Sequence, residues 1–297
     1  MARRHRRHRH SHRVTTPLDD CPSALAWDDA AQGWDQHSGL IRDWLSQATA
    51  AMLDAAAIAP GAKVLDMAAG AGEQTLDIAE RVGAQGQVLA TDISAGILER
   101  AAHKLHAAGW RNVRTLQADV QALGLAGANF DAAVCRLGLM FCASPLSALR
   151  SIHLALAPGA RLSGLVFAGP EANPCLAVTM QTALRHAGAA ARDPFEPGSL
   201  LSLGRPGLLE ALLHQAEFDK IVVRSLSAPF ATPRCADYVA FVRSAGSPVR
   251  ELLKALDAPA RERAWADIAQ RLEVFSTPGG WSGPNELLLF AASKPAA

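Results

Sequence analysis

From about residue 60 to 168, short apolar runs alternate with amphipathic stretches whose apolar positions recur at three- and four-residue spacing. Lys63-Val-Leu-Asp-Met67 reads as a strand, and Glu73 to Val82 as a helix with Leu76, Ala79 and Val82 on one side. Gln87 to Thr91 is a second strand. Ser94 is placed to cap a helix with Ile97, Leu98, Ala101, Ala102 and Leu105 on its apolar side, and Gly109 to end it. Asn112 to Gln117 and Phe130 to Cys135 are further strands. Ser144-Pro145 opens a helix running through Leu156, Pro158-Gly159 stops it, and Ala160 to Phe167 is the fifth strand. Strands separated by helices of ten or more residues require crossovers, and hence a parallel sheet covered on both faces.

Beyond residue 168 the pattern loosens. Residues 169–207 are rich in Gly and Pro, with one helical piece over Cys175 to Ala187. Gly207 to Ala216 reads as a helix, Lys220 to Leu226 as a strand, and 234–275 as helices broken near Ser247-Pro248 and Pro259. Glu286 to Ala292 is a last strand. A strand, a helical excursion and a strand fit an antiparallel pair at the sheet edge, with the excursion as a lid. Residues 23–58, with Trp27, Trp34 and Trp44, are expected to form N-terminal helices over the site, the tryptophans serving in packing.

Composition bounds the class. Hydrophobic residues make up 49% and charged residues 19%, which suits a globular core. The formal charge of +1 hides an asymmetry: six arginines and four histidines crowd residues 1–13, and without them 23 basic residues face 28 acidic ones, a charge of −5. A uniformly basic nucleic-acid binder is excluded on that count. No apolar run is long enough to span a membrane or to act as a secretory signal. Cys21, Cys135, Cys142, Cys175 and Cys235 form no C-x-x-C pair, so neither a disulfide framework nor a zinc site is expected, and a reducing cytoplasm is the default.

The chemistry concentrates in Val64-Leu-Asp-Met-Ala-Ala-Gly-Ala-Gly-Glu-Gln-Thr75. A strand ends near Asp66, small residues follow, and a helix opens near Glu73 with free N–H groups that favour an anionic ligand group. Gly70 and Gly72 let a ligand approach the backbone, although any strand–helix turn uses glycine in this way. Asp92 ends the second strand 20 residues past Gly72, where an acid accepts from ribose hydroxyls. The dinucleotide fingerprint wants a third glycine where Thr75 stands. An acid at Asp66 repels a pyrophosphate but welcomes an ammonium and a sulfonium, which favours S-adenosylmethionine.

Asp66-Met-Ala-Ala-Gly-Ala-Gly72 resembles motif I of the class I S-adenosylmethionine-dependent methyltransferases. Thr91-Asp-Ile-Ser94, Gln117-Ala-Asp-Val120, the stretch from Asn129 to Phe141 and Ala155 to Leu162 resemble the motifs that follow it in that family. The Arg136-Leu-Gly-Leu-Met-Phe141 form and Asn173-Pro174 are similar to the small-molecule enzymes of the ubiquinone/menaquinone-biosynthesis type, and the likeness continues weakly over residues 25–295. The resemblance implies an α/β, Rossmann-like, seven-stranded and mostly parallel sheet with an antiparallel C-terminal strand, helices on both faces, an N-terminal helical cap and helical insertions.

It also implies site roles. Asp66 and the backbone of Ala68 to Gly72, including Gly70, should hold the methionine part of S-adenosyl-L-methionine. Asp92 should bind the ribose with Ile93 against the adenine, and Asp119 should take the adenine amino group with Val120 beside it. Cys135 and Arg136 should lie near the transferred methyl. Ala68 replaces the usual first glycine. Asp119 also fits a turn cap, Arg136 a surface ion pair, and the cysteines an inert core. His37, His153 and His186 are the available bases, none of them singled out.

The expected organisation is a basic tail over 1–22, disordered, and one domain over 23–297 with its cofactor core at about 60–168 and its substrate walls in 23–58, 169–207 and 234–275. The expected activity is methyl transfer to a small organic acceptor. The alternatives are a non-catalytic cofactor sensor and, behind it, a nucleic-acid methyltransferase using the tail; the latter lacks an N-P-P-Y-like motif after the fourth strand, where Cys135-Arg-Leu-Gly138 stands.

Overall fold

The computed structural model describes residues 22–296, so the Arg/His-rich tail read from the sequence lies outside the described residues. Two helices come first, α1 (Pro22–Gln36) and α2 (Ser38–Ala55). Then β1 (Lys63–Met67), α3 (Glu73–Val82), β2 (Gln87–Asp92), α4 (Ala95–Ala107), β3 (Val113–Gln117), β4 (Phe130–Arg136), α5 (Pro145–Ala155) and β5 (Leu156–Phe167) alternate as the hydrophobic pattern requires. The rest comprises α6 (Pro174–His186), α7 (Leu208–Gln215), β6 (Asp219–Ser227), β7 (Phe230–Thr232), α8 (Cys235–Ala245), α9 (Ser247–Leu253), α10 (Ala258–Leu272), β8 (Ser276–Thr277), β9 (Gly280–Gly283) and β10 (Glu286–Ser293).

The main sheet has the order β3-β2-β1-β4-β5-β10-β6. Only β10 runs against its neighbours, pairing antiparallel with both β5 and β6. The chain steps outward from β1 through β2 to β3, then returns to β4 on the other side of β1. Right-handed crossovers therefore put the helices of the two halves on opposite faces, and leave a crevice above β1 and β4 where the order reverses. Burial follows the sheet: Val64 to Met67 of β1 are all buried, whereas the edge strand β6 alternates between partly buried and exposed positions.

Two local rules hold as read. The Ser94 hydroxyl accepts from the Ile97 amide at the start of α4, and the Ser144 hydroxyl from the Ser147 amide at the start of α5. One reading is corrected. α5 ends at Ala155, before Pro158-Gly159, and β5 begins at Leu156. Leu156 pairs with Phe130 before the register shifts to Ala132 opposite Arg161, so Pro158 and Gly159 (φ +79°) occupy a bulge, where a residue without an N–H is tolerated.

The lid has its own core. Tyr238, Trp265, Trp281, Leu253 and Ile268 form a second buried cluster joining α8, α9 and α10 to the small antiparallel sheet β7-β9-β8, which the sequence pattern did not announce. Trp281 anchors that sheet, stacking on Tyr238 at 4.4 Å and donating from Nε1 to the Leu272 carbonyl at 2.8 Å. Among the described residues, no helix is long and apolar enough to cross a membrane.

Candidate functional site

The crevice above β1 and β4 holds a cavity whose floor is the loop between β1 and α3. That loop turns through left-handed conformations at Ala68 (φ +52°), Gly70 (φ +56°) and Gly72 (φ +90°). It is tied to β2 by the Ala69 amide on the Thr91 carbonyl at 3.0 Å and by the Gly70 amide on Asp92 Oδ2 at 3.0 Å. The other Asp92 oxygen accepts from the Ser94 amide at 3.1 Å. Each oxygen keeps a lone pair for a ligand hydroxyl. Burial raises the Asp92 pKa, opposed by these amides.

Asp92 and Ile93 line one side of the cavity, and Asp119 and Val120 the next. Asp119 both faces the cavity and caps the following turn, accepting from the Gln121 amide at 2.8 Å and from its side-chain amide. Arg136 is the only cation among the described lining residues, held by Nη1 donating to Thr49 Oγ1 at 2.9 Å. Burial lowers its pKa, and the carboxylates of Asp66, Glu73 and Asp77 act the other way.

Three expected site residues are not on the wall. Asp66 is fully buried behind the loop, where Thr75 Oγ1 donates to Oδ2 at 2.6 Å and Gln74 Nε2 donates to Oδ1. Burial lifts its pKa to about 6 despite those donors and Arg136. The expectation that an acid here faces a cationic ligand is therefore not met: Asp66 shapes the loop, and Thr75 is its partner rather than a missing glycine. Gly72 is a packing position at the start of α3, where an added Cβ would sit 3.1 Å from the Ala101 Cβ. Cys135 is buried below the cavity, and burial pushes its thiol up to about 12, which makes it inert.

Other residues on the wall were not foreseen. Trp27 and Trp34 of α1 face the cavity together with Leu137 and Phe141, so these two tryptophans are lining as well as packing residues. α1 is held there by Asp28, whose Oδ1 accepts from the Gly96 amide at 3.0 Å and from the Ser94 hydroxyl at the start of α4. An acid in an N-terminal helix carries no local signal of such a distant partner. His37, His153 and His186 do not line the cavity. His153 packs edge-on against Phe218 at 5.1 Å, and His186 bonds Asp267 at 2.9 Å.

Behind this cavity lies a second chamber, walled by Trp44, Phe167, Phe230, Tyr238 and Phe241 and, among the described residues, by no charged side chain. It shares Trp27, Trp34, Leu137 and Phe141 with the first.

Residues 64–159 match the family described as Methyltransferase domain. Over 120 residues, the chain is 37% identical to the ubiquinone/menaquinone biosynthesis C-methyltransferase UbiE of Shewanella frigidimarina, covering 40% of this chain and 48% of that one. The chain thus spans about half the length of the curated relatives it matches. The YcgJ protein from Bacillus subtilis superposes with a TM-score of 0.58 at 18% identity, over 85% of this chain and 100% of that one. A putative methyltransferase from Bacillus halodurans gives 0.57 at 19% identity, over 84% and 99%. Residues 64–159 accordingly carry a methyltransferase domain, and the matched region is similar to the ubiquinone/menaquinone biosynthesis C-methyltransferases.

Proposed function

We propose that the protein transfers a methyl group from S-adenosylmethionine to a small organic acceptor. The observation that carries this reading is the juxtaposition at one crevice of a cavity walled by Asp92 and Asp119 and an uncharged aromatic chamber, the two sharing four side chains. The wall fits the cofactor. Asp92, preoriented by two amides, offers free lone pairs to the ribose hydroxyls. Ile93 and Val120 give the base apolar faces, and Asp119 accepts from its amino group. The backbone of Ala68 to Gly70 bounds the methionine end, and Arg136 is the cation for its carboxylate.

When bound, the cofactor supplies a sulfonium-activated methyl and a neutral thioether leaving group. The chain's own work is alignment and exclusion of water. Trp27, Trp34, Leu137 and Phe141 stand where the two compartments meet, so the acceptor's nucleophilic atom is presented there. The chamber supplies no base. Tyr238 is the titratable side chain among its described lining residues, and burial raises that phenol well above its usual range. The acceptor we infer is accordingly apolar, uncharged over most of its body and nucleophilic without help from a histidine.

We read residues 23–297 as one catalytic unit, and the compartment as the reducing cytoplasm, in keeping with the four described cysteines being buried and free. The sensor and nucleic-acid readings gain no support from the chamber, which is too apolar for a phosphate chain. Calorimetric titration with S-adenosylhomocysteine tests the reading. Micromolar or tighter binding is expected, and no detectable binding ends the proposal.

A further inference from the structure

The aromatic chamber is lined by buried and half-buried side chains, none of them exposed. It touches two other spaces. Inward it meets the cofactor cavity at Trp27, Trp34, Leu137 and Phe141. Outward it shares Leu176, Met180, Leu200 and Pro248 with a surface groove between α6, α9 and the loop 187–207. The groove is open: Arg192, Asp193, Glu196 and Glu251 on its rim are exposed. The cofactor cavity reaches the surface elsewhere, at exposed Ala143.

We propose that the acceptor enters by the α6–α9 groove, through a gate formed by Met180 and Leu200, while the cofactor enters at the Ala143 side. This rests on the methyl-transfer reading and adds to it a route, two gate residues and a shape for the acceptor. The molecule is elongated and neutral, with its reactive end in the aromatic chamber and its more polar end at the charged rim.

The elements beside the gate are each held by local hydrogen bonds. Met180 lies on α6, whose Thr179 and Thr182 hydroxyls bond back into their own helix at 2.7 Å. Leu200 lies on the loop, pinned two residues later by the Ser202 hydroxyl on the Met140 carbonyl at 2.6 Å and earlier by Arg205 on Asp193 at 3.2 Å. With two doors, acceptor and cofactor bind in either order, and neither has to leave for the other to enter.

The test uses N-phenyl-1-naphthylamine, a neutral aromatic fluorophore, as the probe for the chamber of the full chain. The wild type should bind it with an affinity that changes less than about threefold when S-adenosylhomocysteine is saturating. Leu200→Trp, which fills the gate, should weaken the probe by at least about tenfold while leaving the affinity for S-adenosylhomocysteine within about twofold. Leu200→Ala should speed probe association in stopped-flow, a readout that remains if the larger side chain prevents folding. Competition between probe and S-adenosylhomocysteine, equal weakening of both by Leu200→Trp, unaltered probe binding in the variants, or no probe binding to the wild type overturns the two-door proposal. Failure of S-adenosylhomocysteine alone to bind removes the cofactor reading instead, with the gate still scored by the probe.

Discussion

The Ala68 methyl group occupies the space that a side chain on Gly138 would need: a Cβ built on Gly138 falls 2.3 Å from the Ala68 Cβ. Gly138 has φ −111°, a value open to any residue, so its glycine is demanded by space and not by conformation. Ala68 is the converse case, an alanine at φ +52° where glycine is the unstrained choice. The two positions share one small residue and one smaller, joining the cofactor loop to the turn after β4.

Gly138→Ala should therefore destabilise the fold by about 1–3 kcal/mol through overpacking. Adding Ala68→Gly should return at least about 1 kcal/mol, because it removes both the clash and the left-handed strain. Relief is partial, since Cys135 Sγ stays 3.2 Å from the new Cβ. Urea unfolding of the two single variants and the double variant measures the coupling; strict additivity refutes the shared-space account.

The motif resemblance marked Ala68 as a departure, but not the position that accommodates it. Spacing along one chain reports periodicity and local turns, which is why β1, α3 and the caps at Ser94 and Ser144 are legible in the sequence. Distances between segments are not in that signal. The Ala68–Gly138 contact, the Asp28 anchor on α4 and the β7-β9-β8 sheet all join residues far apart in sequence. Asp66 shows a second limit. Charge alone suggests a ligand contact for an acid at a strand end, whereas Gln74 and Thr75 in the first turn of α3 turn Asp66 into an internal hydrogen-bond acceptor. Cys135 and Arg136 illustrate alternation: neighbours on β4 point to opposite sides, so only one of two candidate residues reaches the wall.

Asp66 should give stability a pH signature. Burial moves its pKa from the ordinary 3.8 to about 6, so between those values the folded protein keeps a proton that the unfolded chain has released. The contribution of the neutral carboxyl is full below about pH 4 and is lost as the pH rises through 6, a change of about 3 kcal/mol. Asp66→Asn removes the titration, and the otherwise unpartnered Gln74 Oε1 is placed to receive the new amide after a flip. The unfolding free energy of the variant relative to wild type should rise by that amount from pH 4 to 7. A flat difference curve would place the carboxyl near its ordinary value.

The two acids on the cavity wall should contribute unequally. Asp92→Ala should weaken S-adenosylhomocysteine by about 1–3 kcal/mol, since it deletes a charged acceptor and strands the Gly70 and Ser94 amides. Asp119 spends its carboxylate on Gln121, which leaves less for the ligand, so Asp119→Ala should cost no more than about 1 kcal/mol. Calorimetry on both variants ranks them, and a larger loss at Asp119 contradicts the assignment of the ribose to Asp92.

The wall that closes both compartments depends on how α1 docks. At Gly33 its backbone meets α8, where an added Cβ would lie 2.2 Å from the Ser244 carbonyl oxygen, a backbone atom that cannot swing aside. Trp34, the next residue, packs edge-on to Phe241 of α8 at 6.2 Å. Gly33→Ala should push α1 outward, drawing Trp34 away from the junction of the two cavities. Asp28→Ala should release the other anchor, on the first turn of α4. Both variants should speed chymotrypsin cleavage at Trp27 and Trp34 by about an order of magnitude, because local opening becomes cheaper while the sheet core is untouched. S-adenosylhomocysteine should restore protection, since both tryptophans line its cavity. Gly39→Ala is the control: nothing lies within 4 Å of its Cβ, and it sits in α2, so it should only gain helix propensity. If Gly33→Ala is cleaved no faster than Gly39→Ala, the α1–α8 contact does not hold the wall in place.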